Sequence, residues 1–98
     1  LETPPRSIRM NIEDYADCIN VEIVVRRYDN QNNRWIAEFD HCEVKGDGVL
    51  IGTHGNGSTP QEAVQAYIDQ IRGKCIVLNA GSVRRREFIV PTNLRGLD

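Results

Sequence analysis

The spacing of apolar residues changes along the chain from helical to alternating and back, and each change marks an element. Across residues 10–20, Ile12, Tyr15, Ala16 and Ile19 recur at helical spacing, which predicts a short helix with one buried face. Residues 21–28, Val-Glu-Ile-Val-Val-Arg-Arg-Tyr, are rich in β-branched side chains and predict a strand. The polar run Asp29-Asn30-Gln31-Asn32-Asn33 suits a turn. A second strand follows over 34–40, with Trp35, Ala37 and Phe39 on one face and Arg34, Glu38 and Asp40 mostly on the other. That alternation describes a sheet covered on one side and wet on the other. On the wet side, Arg26, Arg27 and Arg34 are expected to form cross-strand ion pairs with Glu38 and Asp40.

A third strand is expected within 43–51, interrupted by a turn or bulge at Gly46-Asp47-Gly48, and residues 52–58 read as a glycine-rich loop. The helical period then returns over 60–72, with Ala63, Val64, Tyr67, Ile68 and Ile71 on one face. Its start is well specified: Thr59 at the N-cap, Pro60 at the first helical position, and Glu62 three residues after the cap. Gly73 is placed to end it. Cys75-Ile76-Val77-Leu78-Asn79 predicts a strand, Ala80-Gly81-Ser82 a turn, and 87–90 a last strand before Pro91 and a frayed tail. The order is β-β-β-α-β: an α+β domain, an antiparallel sheet of three to five strands with one main helix packed on it.

A length of 98 residues allows one domain with a modest core. Residues 1–9 precede Met10 and are read as a tag or disordered arm, leaving 10–98 as the folded unit. No apolar run reaches the roughly 18 residues of a membrane span. Three cysteines, at 18, 42 and 75, have no paired spacing, which argues against a disulfide framework and for a reducing, cytoplasmic setting. Charge divides unevenly: residues 1–71 hold six basic and twelve acidic side chains, residues 72–98 six basic and two acidic. A domain that coats nucleic acid is usually basic throughout.

The strand Trp35-Ile36-Ala37-Glu38-Phe39 followed by Ser58-Thr59-Pro60-Gln61-Glu62-Ala63 resembles the HicB-like family, whose members pair an aromatic-x-A-x-F strand with a threonine-capped helix. The resemblance implies a partial dsRBD-like sheet-and-helix fold. It also implies an antitoxin-like role, in which the domain binds a protein such as a small RNase toxin or a host nucleic-acid enzyme. As an orphan single domain, the chain resembles accessory proteins of phages and prophages.

Of the residues that carry chemistry, Arg84-Arg85-Arg86 is the concentrated basic feature and the expected contact with an acidic protein partner. In a strand, Arg84 and Arg86 would share one face and Arg85 the other. Nucleic acid is the less favoured ligand for this run. The loop His54-Gly55-Asn56-Gly57-Ser58 leads into a helix N-terminus and is a candidate anion site, although no Gly-Lys-Ser/Thr follows as in a P-loop. His54 is also the candidate base of a small hydrolase or nuclease, without an identifiable nucleophile beside it. His41, Cys42, His54 and Cys75 are suitable zinc ligands by type but not by spacing. The expectation is a non-enzymatic binding module without metal or cofactor, using a sheet face or edge, with homodimerisation by strand pairing an available route.

Overall fold

A computed structural model describes residues 10–28 and 34–97. The element order is α1 (Ile12–Cys18), β1 (Ile23–Arg27), β2 (Trp35–Phe39), β3 (Cys42–Gly46), β4 (Val49–Ile51), β5 (Gly55–Gly57), α2 (Pro60–Ile71), β6 (Cys75–Leu78) and β7 (Arg86–Ile89). The fold is α+β and antiparallel, with one main helix on the sheet. It holds more strands than the sequence suggests, and they form two sheets, ordered β1-β2-β5 and β4-β3-β6-β7. The turn expected at 29–33 and the arm at 1–9 lie outside the described residues.

The two sheets meet because β2 and β3 are nearly one strand, kinked at Asp40-His41. His41 adopts a left-handed backbone (φ 53°), which turns the chain out of the first sheet and into the second. The expected third strand is a hairpin, β3 and β4, closed by Asp47-Gly48. The expected loop 52–58 contains β5, which pairs with β2 at Trp35↔Gly57 and Ala37↔Gly55. Alternation could not reveal β5, because Gly55 and Gly57 present no side chain to the core.

Helix α2 starts as its sequence dictates: the Thr59 side chain accepts the Glu62 N–H at 3.1 Å, and Glu62 accepts the Ser58 N–H at 3.2 Å. It ends at Arg72 and Gly73, whose φ of 72° requires glycine or strain. Its buried face, Ala63, Val64, Tyr67, Ile68 and Ile71, packs chiefly across β5 and β2. Helix α1 buries Ile12, Tyr15 and Ala16, with Ile19 just beyond it, as the spacing predicts. Its N-cap is Asn11, which accepts the Asp14 N–H at 2.8 Å. Tyr15, Phe39 and Tyr67 form an aromatic chain through the core, with Phe39 edge-on to Tyr67 at 5.5 Å.

The C-terminal segment is not frayed. Arg95 bridges to Asn11, its carbonyl accepting from Ile12 N–H and its N–H donating to Met10, both at 2.8 Å. Leu94 is buried beneath this clasp. Leu94→Ala should therefore lower unfolding free energy by about 3 kcal/mol, the cost of an unfilled core position. Urea denaturation checks this, and a loss under about 0.5 kcal/mol would mean the clasp is not part of the cooperative core.

Candidate functional site: an acidic groove beside a divided arginine run

The arginine run is split by the start of β7. Arg84 lies in the preceding turn and is exposed, its backbone N–H bonded to Ser82 Oγ at 3.0 Å. Arg85 pairs with Glu87 at 3.0 Å. Arg86 turns inward: its guanidinium donates to the Ile19 carbonyl beyond the end of α1 and lies 5.2 Å from the Phe88 ring centre. Glu87 also meets Lys45 at 3.5 Å. The Arg85 hydrogen bond, helped by Lys45, holds the Glu87 carboxyl below its usual range. Two of the three arginines are thus engaged within the fold.

The loop residues separate too. Gly55 and Gly57 belong to β5 and lie against the α2 backbone, where a Cβ on Gly55 would fall 2.1 Å from the Ala63 carbonyl oxygen. Close packing therefore explains these glycines. The Ser58 and Glu62 N–H groups at the helix start are already bonded, and the Glu62 carboxylate is placed where an anion would sit. The His54 side chain is exposed and, among the described residues, makes no hydrogen bond or ion pair, while its carbonyl accepts from Gln70 Nε2 at 2.8 Å. Thr53 Oγ1 contacts the Gln70 amide oxygen, so residues 53 and 54 are tied to α2.

Nor do the zinc-type residues converge. Among the described residues no group of three or more His, Cys, Asp or Glu is placed to hold a metal ion. His41 lies 3.5 Å from Asp40. Burial pushes the Cys42 thiol pKa up to about 11, so it remains protonated and weakly nucleophilic near neutrality. Cys75 lies on the other face of its sheet beside Glu87 at 3.7 Å, and burial followed by that carboxylate raises its pKa.

A feature that sequence reasoning missed runs along α1, β1 and the β2–β3 kink. Three successive hollows share walls. The first is flanked by Glu13, Asp17 and Glu22; Val21 and Glu22 join it to a second containing Asp40 and His41. His41 and Asn79 join that to a third, flanked by Glu38, Cys42 and Glu43. Of the described residues, six carboxylates line these hollows, and no lysine or arginine does. Among the described residues none of the six is paired with a lysine or arginine. Asn20, His41 and Asn79, all left-handed (φ 53–55°), bring the turns together at the middle hollow. The carboxylates come from separate elements, so no acidic run betrayed them; the signal was the acid excess of residues 1–71.

The expected ion pairs on the open face of the first sheet do not form. Arg26 faces Ile36 and Arg27 faces Trp35 across the hairpin, while Arg34 lies 5.3 Å from the Tyr28 ring centre and reaches Asn56 at 3.4 Å. The register places Val24, not an arginine, opposite Glu38.

The fold defines a small α+β domain, and no helix among the described residues is long and apolar enough to cross a membrane. Comparison of the chain with protein-family models, curated proteins and solved structures finds no match.

Proposed function

We propose that the chain is a non-enzymatic protein-binding module that occludes an active or nucleic-acid-binding surface of its partner, as an antitoxin-like or phage accessory protein acting in the cytoplasm. The acidic groove carries this reading. Surfaces that bind nucleic acid are rich in lysine and arginine, and a concave face lined, among the described residues, by six carboxylates and by no lysine or arginine complements them. The partner is then a basic protein, a small RNase or another nucleic-acid enzyme, and Arg84 stands at the rim beyond Ser82.

The test is affinity capture from nuclease-treated lysate, comparing wild type with Glu22→Gln/Glu38→Gln/Glu43→Gln. Captured protein should fall at least tenfold with the groove neutralised, at unchanged thermal stability, and should elute with added salt. An Arg84→Ala/Arg85→Ala variant should retain most of it. Loss with the arginine variant alone would move the contact to that turn, and capture equal in all three would refute the groove.

A nucleic-acid-binding domain is the second reading, favoured by one observation. Among the described residues the Arg26 and Arg27 side chains form no ion pair or hydrogen bond, and with Arg34 stacked on half-exposed Tyr28 they make a basic, aromatic patch on the β1–β2 hairpin. It predicts nucleic-acid retention that falls linearly in log salt and disappears in Arg26→Ala/Arg34→Ala.

A further inference from the structure

Among the described residues, strand β4 is an outer edge of the second sheet, hydrogen-bonded on one side only, to β3. Asp47 and Gly48 both have positive φ, 51° and 80°, as the central residues of a two-residue type I′ hairpin turn do. In such a hairpin the closing pair, here Gly46↔Val49, exchanges both backbone hydrogen bonds, and bonded and non-bonded pairs then alternate. Val44↔Ile51 is therefore bonded and Lys45↔Leu50 is not. The N–H and C=O of Leu50 point away from the sheet, free to pair with another strand.

The side chains of this edge are equally unprotected. Val49 and Ile51 are 57% and 56% exposed. Ile51 ends a cross-strand row that begins buried, at Phe88 and Ile76, and passes through Val44 before reaching solvent. Natural edges are usually blocked by a charge, a proline or a bulge. From Gly48 to Thr53 there is no charged residue and no proline, and the β3–β4 register is unbroken.

We propose that the chain forms a two-fold symmetric dimer through β4, with Leu50 paired to the partner's Leu50. The register is self-complementary. It sets Val49 against the partner's Ile51 and Ile51 against the partner's Val49, as close non-bonded pairs, and extends both apolar rows across the seam. Asp47 falls opposite the partner's Thr53, one residue from the partner's His54, so no carboxylate meets a carboxylate. The two Lys45 side chains stand three strand spacings apart, about 14 Å, beyond the Debye length of about 8 Å at physiological salt. Each is also already paired with Glu87. The joined edges would give a continuous eight-stranded sheet. The seam is short by the standard of stable interfaces, so the dissociation constant is on the order of 10–100 µM.

This dimer uses a different face from the acidic groove and is tested on purified protein alone, so the two readings fail independently. Sedimentation equilibrium from about 10 µM to 1 mM should show a mass rising from 11.1 kDa towards its double. Ile51→Lys should weaken association at least tenfold with unchanged far-UV circular dichroism, since Ile51 is exposed. In a Cys18→Ser background, Leu50→Cys should cross-link on mild oxidation, because a hydrogen-bonded pair holds its Cα atoms about 5.5 Å apart, inside the disulfide range. A chain monomeric at 1 mM with no cross-link would overturn the proposal. So would association that Ile51→Lys leaves unchanged, or a monomer that pairs only with a foreign β-strand peptide.

Discussion

Gly55→Ala should cost about 3 kcal/mol or more and lower the melting temperature by roughly 15 °C or more, the largest effect expected from adding one methyl group to this chain. The new Cβ would lie 2.1 Å from the Ala63 carbonyl oxygen, 2.3 Å from the Tyr67 nitrogen and 2.8 Å from its Cα. All three obstacles are helix backbone, so no rotamer change can relieve the overlap; α2 must lift from β5. That movement would disturb Tyr67, whose ring meets Phe39 edge-on, and so spread into the aromatic core. Gly57→Ala meets the Ala63 nitrogen at 2.5 Å and should behave similarly. Gly52→Ala and Gly81→Ala have nothing within 4 Å of the added carbon and should stay within about 0.5 kcal/mol of wild type. Thermal unfolding of the four variants decides the matter. A Gly55→Ala protein as stable as Gly52→Ala would mean that β5 does not lie on the helix as described.

Raising pH from 9 to 11 should remove about 5 kcal/mol of stability, comparable with the whole stability of many domains. The cause is the burial of three weak acids. Desolvation raises the pKa of the Cys42 thiol to about 11 from 9.0, and pushes the Tyr15 and Tyr67 hydroxyls well above their usual 10.0. Below pH 9 all three are protonated in both the folded and unfolded chain, and their contribution is complete. As pH rises the unfolded chain releases protons that the folded one keeps, so stability falls, by about 1.4 kcal/mol per group per pH unit. The cysteine contributes from pH 9 and the tyrosines from pH 10. Urea midpoints at pH 8, 9, 10 and 11, followed by tyrosinate absorbance, measure the slope; a flat profile would contradict the buried placement. Tyr15→Phe should make the decline shallower. It should also cost little at pH 7, since the Tyr15 hydroxyl is buried with no hydrogen-bond partner among the described residues and its removal strands none of them.

The candidate sites were less legible than the fold, for a physical reason visible in each. Arg84-Arg85-Arg86 is conspicuous as a sequence run, but the start of β7 separates the three side chains, and Glu87 and the Ile19 carbonyl engage two of them. The His54–Ser58 stretch has the composition of an anion loop, yet its glycines serve close packing and its helix-start donors are bonded. Conversely, the acidic groove is inconspicuous in sequence because Glu13, Asp17, Glu22, Glu38, Asp40 and Glu43 are scattered across four segments. The kink at His41 and the turns at Asn20 and Asn79 are what bring them together.

By itself the sequence determined the local elements that announce their own geometry. Helix α2 was legible from Thr59 through Gly73 because cap, proline, glutamate, apolar period and terminal glycine all agree over one short span. The buried face of α1 and the inward set Trp35, Ala37 and Phe39 were legible from period alone, but Ile36, on the face of β2 that alternation reads as wet, is buried as well. Tertiary structure decided what depends on partners far along the chain. It divided the strands into two sheets, drew the glycine segment 55–57 onto the edge of β2, and clasped Leu94 and Arg95 against α1. A glycine carries no apolar signal, and a strand's neighbour is chosen by backbone pairing across dozens of residues. Periodicity reports which way a side chain faces; only the folded chain settles what it faces.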